Sequence, residues 1–99
     1  MLSQTHYLIR SRNDGSYLAA YPHLAANAMR TPEQGYILLF KEHYEALSYL
    51  NTHASGMSDR FAVEVLTGPQ LEGIFARWNF KGVAVVQDPL LPKIEFLTR

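Results

Sequence analysis

The sequence predicts an α+β fold: a single mixed β-sheet of about six strands with two main helices. The order is β-β-(loop or short helix)-β-α-β-α-β-β. Three observations lead there. Several short runs are rich in β-branched and aromatic residues and are bounded by turn residues. Two segments, near residues 42–54 and 68–78, carry apolar residues at three- and four-residue steps. Each sits between two strand-like runs, and the stretches 36–66 and 61–86 are long enough for crossover βαβ units, so the sheet should mix parallel and antiparallel pairs.

The elements follow in chain order. In residues 5–11, Tyr7 and Ile9 alternate with Leu8 and Arg10, as in a strand. Asn13-Asp14-Gly15 then marks a hairpin, because glycine supplies the positive φ that a tight turn needs. Residues 16–21 are the expected returning strand. Residues 22–34 admit two readings: two helical turns over 23–30, with Leu24 and Ala28 on one face, or a loop ending at Thr31-Pro32. Tyr36-Ile37-Leu38-Leu39-Phe40 is apolar at every position, as in a strand buried on both sides.

The first main helix is expected over 42–54, with Leu47, Leu50 and Ala54 as its apolar stripe and His43 or Tyr44 at the upstream edge. Glu42 and Glu45 fall in its first turn, where the helix dipole favours anions. No N-cap is evident, since Lys41 cannot accept a backbone hydrogen bond, and Gly56 ends the helix. In the strand over 60–66, Phe61, Val63 and Val65 face one way and Ala62, Glu64 and Leu66 the other. Thr67-Gly68-Pro69-Gln70 fits a capping box, with Leu66 and Leu71 placed as a hydrophobic staple. Pro69 in the first turn removes only an N–H that would lack a partner anyway. Leu71, Ile74, Phe75 and Trp78 form the stripe of the second helix, and Asn79 can adopt the left-handed conformation that closes it. Residues 82–86 form a short buried strand, Asp88-Pro89 through Pro92 a turn, and Ile94 and Phe96 alternate with Glu95 and Leu97 in a last strand.

Composition excludes several functions. The 99 residues, 47% hydrophobic and 18% charged, are those of one ordinary globular domain. Nine basic and nine acidic residues cancel, so no net field favours nucleic acid or an anionic membrane. With no cysteine, disulfides, thiolate metal sites and cysteine nucleophiles are absent. The first residues lack the basic start and apolar run of a signal peptide, and no apolar run approaches the roughly 20 residues of a membrane span. The expected location is the cytoplasm.

Motifs that carry chemistry are missing. Asp14, Asp59 and Asp88 fall in turns, where aspartate bonds its own backbone. His6, His23, His43 and His53 show no H-x-x-x-H spacing, so no metal is expected. No G-x-S-x-G elbow or phosphate loop occurs. No catalytic residue and no cofactor is therefore assigned. Glu64, on a half-buried strand, is expected to pair with Arg10 or Lys93. Tyr36, Phe40, Phe61, Phe75, Trp78, Phe80 and Phe96 read as core. Tyr17, Tyr21, Met57, Leu90 and Leu91 are candidates for a contact surface, which would mark a partner if contiguous. His23, Arg30 and Tyr21 would line a small-ligand pocket between the N-terminal hairpin and residues 22–34.

Three stretches carry a family resemblance: Phe40-Lys41-Glu42-His43-Tyr44-Glu45-Ala46-Leu47, Leu66-Thr67-Gly68-Pro69-Gln70-Leu71, and Gly82-Val83-Ala84-Val85-Val86-Gln87-Asp88-Pro89. Over residues 35–90 the chain resembles the N-terminal domain of SseB-like proteins, a bacterial family of small α+β domains. They look like its strand-end phenylalanine before a helix, its glycine-marked second helix and its proline-ended closing strand. The resemblance implies a fold and no catalytic motif. The expected function is a non-enzymatic interaction or regulatory module that forms a homo-oligomer or meets a protein partner. The alternative is a small-ligand-binding protein or minor enzyme using the pocket just described.

Overall fold

The computed structural model describes residues 5–22, 31–88, 90 and 93–98. Its elements are β1 (His6–Ser11), β2 (Ala19–Ala20), a 3-10 turn (Pro32–Gln34), β3 (Tyr36–Phe40), α1 (His43–His53), a second 3-10 turn (Ser58–Arg60), β4 (Phe61–Leu66), α2 (Gly68–Trp78), β5 (Gly82–Asp88) and β6 (Lys93–Thr98). They form one mixed six-stranded sheet with two helices, as the sequence pattern predicts. The expected pocket residues His23 and Arg30, the two readings of 23–30, and Leu91 lie outside the described residues.

The strand order is β4-β1-β3-β5-β6, with β2 pairing β3 off this path. β3 and β5 are parallel, from Tyr36 beside Gly82 to Phe40 beside Val86. β1 is antiparallel to both β3 and β4. Hence β3, β4 and β5 run one way and β1, β2 and β6 the other. β3-α1-β4 crosses β1, and β4-α2-β5 returns across β1 and β3. The two helices take opposite faces, giving three layers. Beneath α2, Leu71, Ile74 and Phe75 pack on Leu8, Ile37, Leu39, Val83 and Val85. Beneath α1, Ala46 and Leu50 pack on Ile9, Leu38, Phe40, Ala84 and Val86. β3 serves both layers, which is why all five of its residues are buried.

The hairpin departs from the expected long ribbon. Ser11 donates to the Ser16 carbonyl at 2.8 Å, Gly15 takes a φ of 75°, and Tyr17 bridges Arg10. The chain then moves across: Ala19 and Ala20 pair with Ile37 and Tyr36 of β3 instead of continuing along β1. Gly82 has a second steric role, because a Cβ there would collide with the carbonyl of Leu97 on β6.

α2 matches its sequence signals closely. The Thr67 N–H donates to Gln70 Oε1 at 2.9 Å, and the Gln70 N–H to Thr67 Oγ1 at 3.4 Å. Asn79 closes the helix at φ 58°, ψ 41°. α1 corrects two expectations. Glu42 is its N-cap, and the Glu42 N–H donates to Glu45 Oε1 at 3.2 Å, so a reciprocal first turn exists without serine or threonine. The buried row is Ala46 and Leu50, whereas Leu47 is 43% exposed at the rim, because the narrow stripe follows the four-residue row that faces β1, β3 and β4. Three aromatics expected in the core differ as well, Phe61 of β4 being half-buried. Phe96 is 41% exposed: it lies on edge strand β6 and meets Tyr36 edge-on, centroids 5.2 Å apart. Trp78, at the last turn of α2, is half-buried.

Candidate functional site

β4 is a sheet edge, and its exposed side follows from its hydrogen-bond pattern. Arg12 N donates to the Arg60 carbonyl at 2.9 Å. That bond makes Arg10–Ala62, Leu8–Glu64 and His6–Leu66 the hydrogen-bonded pairs of the β1–β4 ladder, since such pairs alternate along antiparallel strands. The N–H and C=O groups of Phe61, Val63 and Val65 therefore point away from the sheet. Among the described residues no strand pairs with them. One of these groups is occupied: Arg12 Nε donates to the Phe61 carbonyl at 3.2 Å.

A groove flanks the strand on each face. On the α1 side a hollow of about 380 Å³ is floored by Leu50, Phe61 and Val63 and rimmed by Arg12, His43 and Asp59. On the α2 side one of about 450 Å³ runs between Tyr17, Leu66, Ile74 and Arg77. Side chains beside this second groove are locked in a chain of contacts. Arg10 Nη1 lies 3.7 Å from Glu64 Oε2, Arg10 Nε donates to the Gly15 carbonyl at 3.0 Å, and the guanidinium sits 5.2 Å from the Tyr17 ring centre. Tyr17 in turn meets Trp78 edge-on at 6.0 Å. Both Glu64 and Arg10 are near 40% exposed, so the pair contributes about 1 kcal/mol at most and mainly neutralises Glu64 on the edge.

Several further ionisable groups are committed to local structure. Asp14 Oδ1 accepts from the Ser16 N–H at 3.0 Å and from its hydroxyl at 2.7 Å, which lowers its pKa from the usual 3.8, the backbone bond contributing most. Asp88 Oδ1 accepts from the Leu90 N–H at 2.9 Å. Both aspartates behave as turn residues. His43 meets the Tyr7 ring edge-on at 5.7 Å and His53 lies 4.5 Å from the Tyr49 ring. Burial raises the Tyr49 phenol above its ordinary pKa of 10.0, so it stays neutral. Lys41, Gln87 and Glu95 form a surface relay of hydrogen bonds at 3.3 and 3.2 Å. Among the described residues no three His, Asp or Glu side chains are placed to hold a metal ion.

The residues expected to form a contact surface are dispersed. Tyr17 is half-buried between Arg10 and Trp78, on the α2-side groove. Tyr21 lies against Gly35, whose missing Cβ makes room for its ring. Met57 is 46% exposed and precedes β4, at the end of the sheet where β1 finishes. Leu90 is 61% exposed and follows β5, at the opposite end. Of these residues only Tyr17 touches the grooves beside β4. The edge was missed in sequence because nothing local says which strand is outermost. The usable signal was the alternation of Phe61, Val63 and Val65 with neither lysine nor proline among them.

No protein-family model, curated protein or solved structure matches the chain. Among the described residues no helix is long and apolar enough to cross a membrane.

Proposed function

We propose that the chain is a small non-enzymatic interaction or regulatory module, acting in the cytoplasm, that self-associates. One observation carries the reading: β4 offers outward N–H and C=O groups and apolar side chains between two grooves, with no strand beside it among the described residues. Two ionisable side chains beside the edge support it by being engaged within the chain, Glu64 with Arg10 and His43 with Tyr7. Balanced charge argues against nucleic acid as the partner. Membership of the SseB-like family, carried by the residues quoted above, belongs to the same proposal and adds no chemistry.

Sedimentation equilibrium of the whole chain at high concentration, together with capture of partners on the immobilised protein, tests the reading. A concentration-dependent rise in mass supports it. A strict monomer that retains no partner overturns it.

A further inference from the structure

We infer that the partner is a second copy of this chain, joined β4 to β4 in antiparallel register with Val63 opposite Val63 of the other copy. The inference rests on the self-association reading and adds the edge, the symmetry and the register.

The symmetry comes first. Two identical edges that form one continuous antiparallel sheet are related by a twofold axis normal to it, and because outward-pointing residues pair only with outward-pointing ones, some residue must oppose its own copy. The contact is isologous, so it closes at two copies. Pairing β4 with the far edge, β6, would be heterologous and would not close at two copies. The two edges are also defended differently. β6 carries Lys93 and Glu95, follows Pro92 in the sequence, and is joined to β5 through a register irregularity between Val86 and Asp88. These are devices that discourage edge pairing. Residues 61–66 contain no lysine, arginine or proline, and their one charge, Glu64, faces Arg10 of the same chain.

Register follows from charge and hydrogen bonding. Phe61, Val63 and Val65 point their N–H and C=O groups outward, so they must form the hydrogen-bonded pairs. Centring on Val63 sets Val63 against its copy and Phe61 against Val65 of the other chain, with Ala62 opposite Glu64. Every outward N–H of these three residues then meets a carbonyl. The Phe61 carbonyl accepts on its second lone pair while keeping Arg12. Moving the centre one residue on places Glu64 directly against Glu64, which is unfavourable. The side chains agree. Phe61 and Val63 pack on the α1 side, and Val65, on the same face, is 57% exposed. An incoming strand would lay its own copies of these residues beside the α1-side groove, next to the exposed Leu47, and cover Val65 with a phenylalanine.

The chain has no cysteine, so single-cysteine variants report one position each. Treating Val63→Cys, Glu64→Cys, Val65→Cys and Phe96→Cys with a short bis-maleimide should join copies best at position 63. At position 65 the copies stand roughly 14 Å apart along the sheet and should join poorly. Val65→Lys, at an exposed position, should keep the native circular dichroism and raise the dimer dissociation constant about tenfold or more. Preferred cross-linking at 64 overturns the register. A dimer that survives Val65→Lys and cross-links at 96 overturns the edge while leaving self-association standing. A strict monomer overturns both.

Discussion

The two helices cover opposite faces of one sheet and are built by different means. α2 inserts Leu71, Ile74 and Phe75 into its layer and is sealed by Thr67 and Gln70 at one end and by left-handed Asn79 at the other. α1 fully buries only Ala46 and Leu50, is capped by a glutamate, and turns Leu47 toward the β4 groove. The apolar surface on the α1 side comes mostly from the sheet, and the half-buried Tyr49 of α1 meets Phe40 of β3 edge-on at 5.4 Å. α2 is thus specified by its own residues and α1 by what it lies on. A helix of the second kind can leave apolar side chains free at its margin, and the open groove beside β4 is such a margin.

Core truncations should separate the helices most. Phe75→Ala empties a large volume under α2 and should cost about 3–5 kcal/mol. Leu50→Ala on α1 should cost about 2–3 kcal/mol, at the low end for a buried leucine, because Ala46 beside it leaves room for the helix to settle. Leu47→Ala should stay within about 0.5 kcal/mol, as for an exposed position. Urea midpoints measured with a common slope decide the matter. Leu50→Ala matching Phe75→Ala would break the contrast. A large loss at Leu47 would mean that the groove is already filled in the isolated chain. Trp78→Ala should fall below Phe75→Ala, since the indole is half-buried and leans on Tyr17.

The same division explains what could be read from sequence. Helix α2 was legible to the residue because its signals are local: a cap three positions from its reciprocal partner, a staple across it, a stripe at helical steps. Strand positions were legible where alternation was clean, as in residues 60–66, or where a run was apolar throughout, as in 36–40. What escaped depends on contacts distant in the chain. The hairpin's second arm joins β3 only because β3 lies beside β1, and no residue in 16–21 encodes that. Phe96 is exposed because β6 is an edge, and Leu47 because the row through Ala46 meets the sheet. The candidate site escaped for the same reason: Phe61, Val63 and Val65 read as an ordinary strand until the strand order puts them outermost.

Capping tests the contrast more gently. Thr67→Ala removes the acceptor for the Gln70 N–H and should cost about 1 kcal/mol. Glu42→Ala should cost less, a few tenths of a kcal/mol, because glutamate is not among the favoured cap residues and the bond from the Glu42 N–H to the Glu45 carboxylate survives the change. Thermal unfolding of the two variants beside the parent chain gives the order. Equal losses would mean that α1 depends on its own first turn as much as α2 does, and the contrast would fail at the level of the helix ends.

The smallest effect concerns a turn that belongs to neither helix. Asp14 is fully exposed, and the Ser16 N–H followed by the Ser16 hydroxyl holds its pKa below the usual 3.8. A carboxyl whose pKa is lower in the folded chain than in the unfolded one contributes stability above the unfolded value and loses it as pH falls through the folded one. The parent chain should therefore weaken on acidification through and below the ordinary aspartate range. Asp14→Asn keeps a side-chain oxygen to accept from Ser16 but carries no titratable proton, so its acid-side decline should be shallower, with little change near neutrality. Urea midpoints of the two chains across that range would show the curves separating as pH falls, the parent falling below the variant. Parallel curves would mean that the hairpin turn is held by Gly15 and the Ser11–Ser16 bond alone, with the carboxylate adding nothing to it.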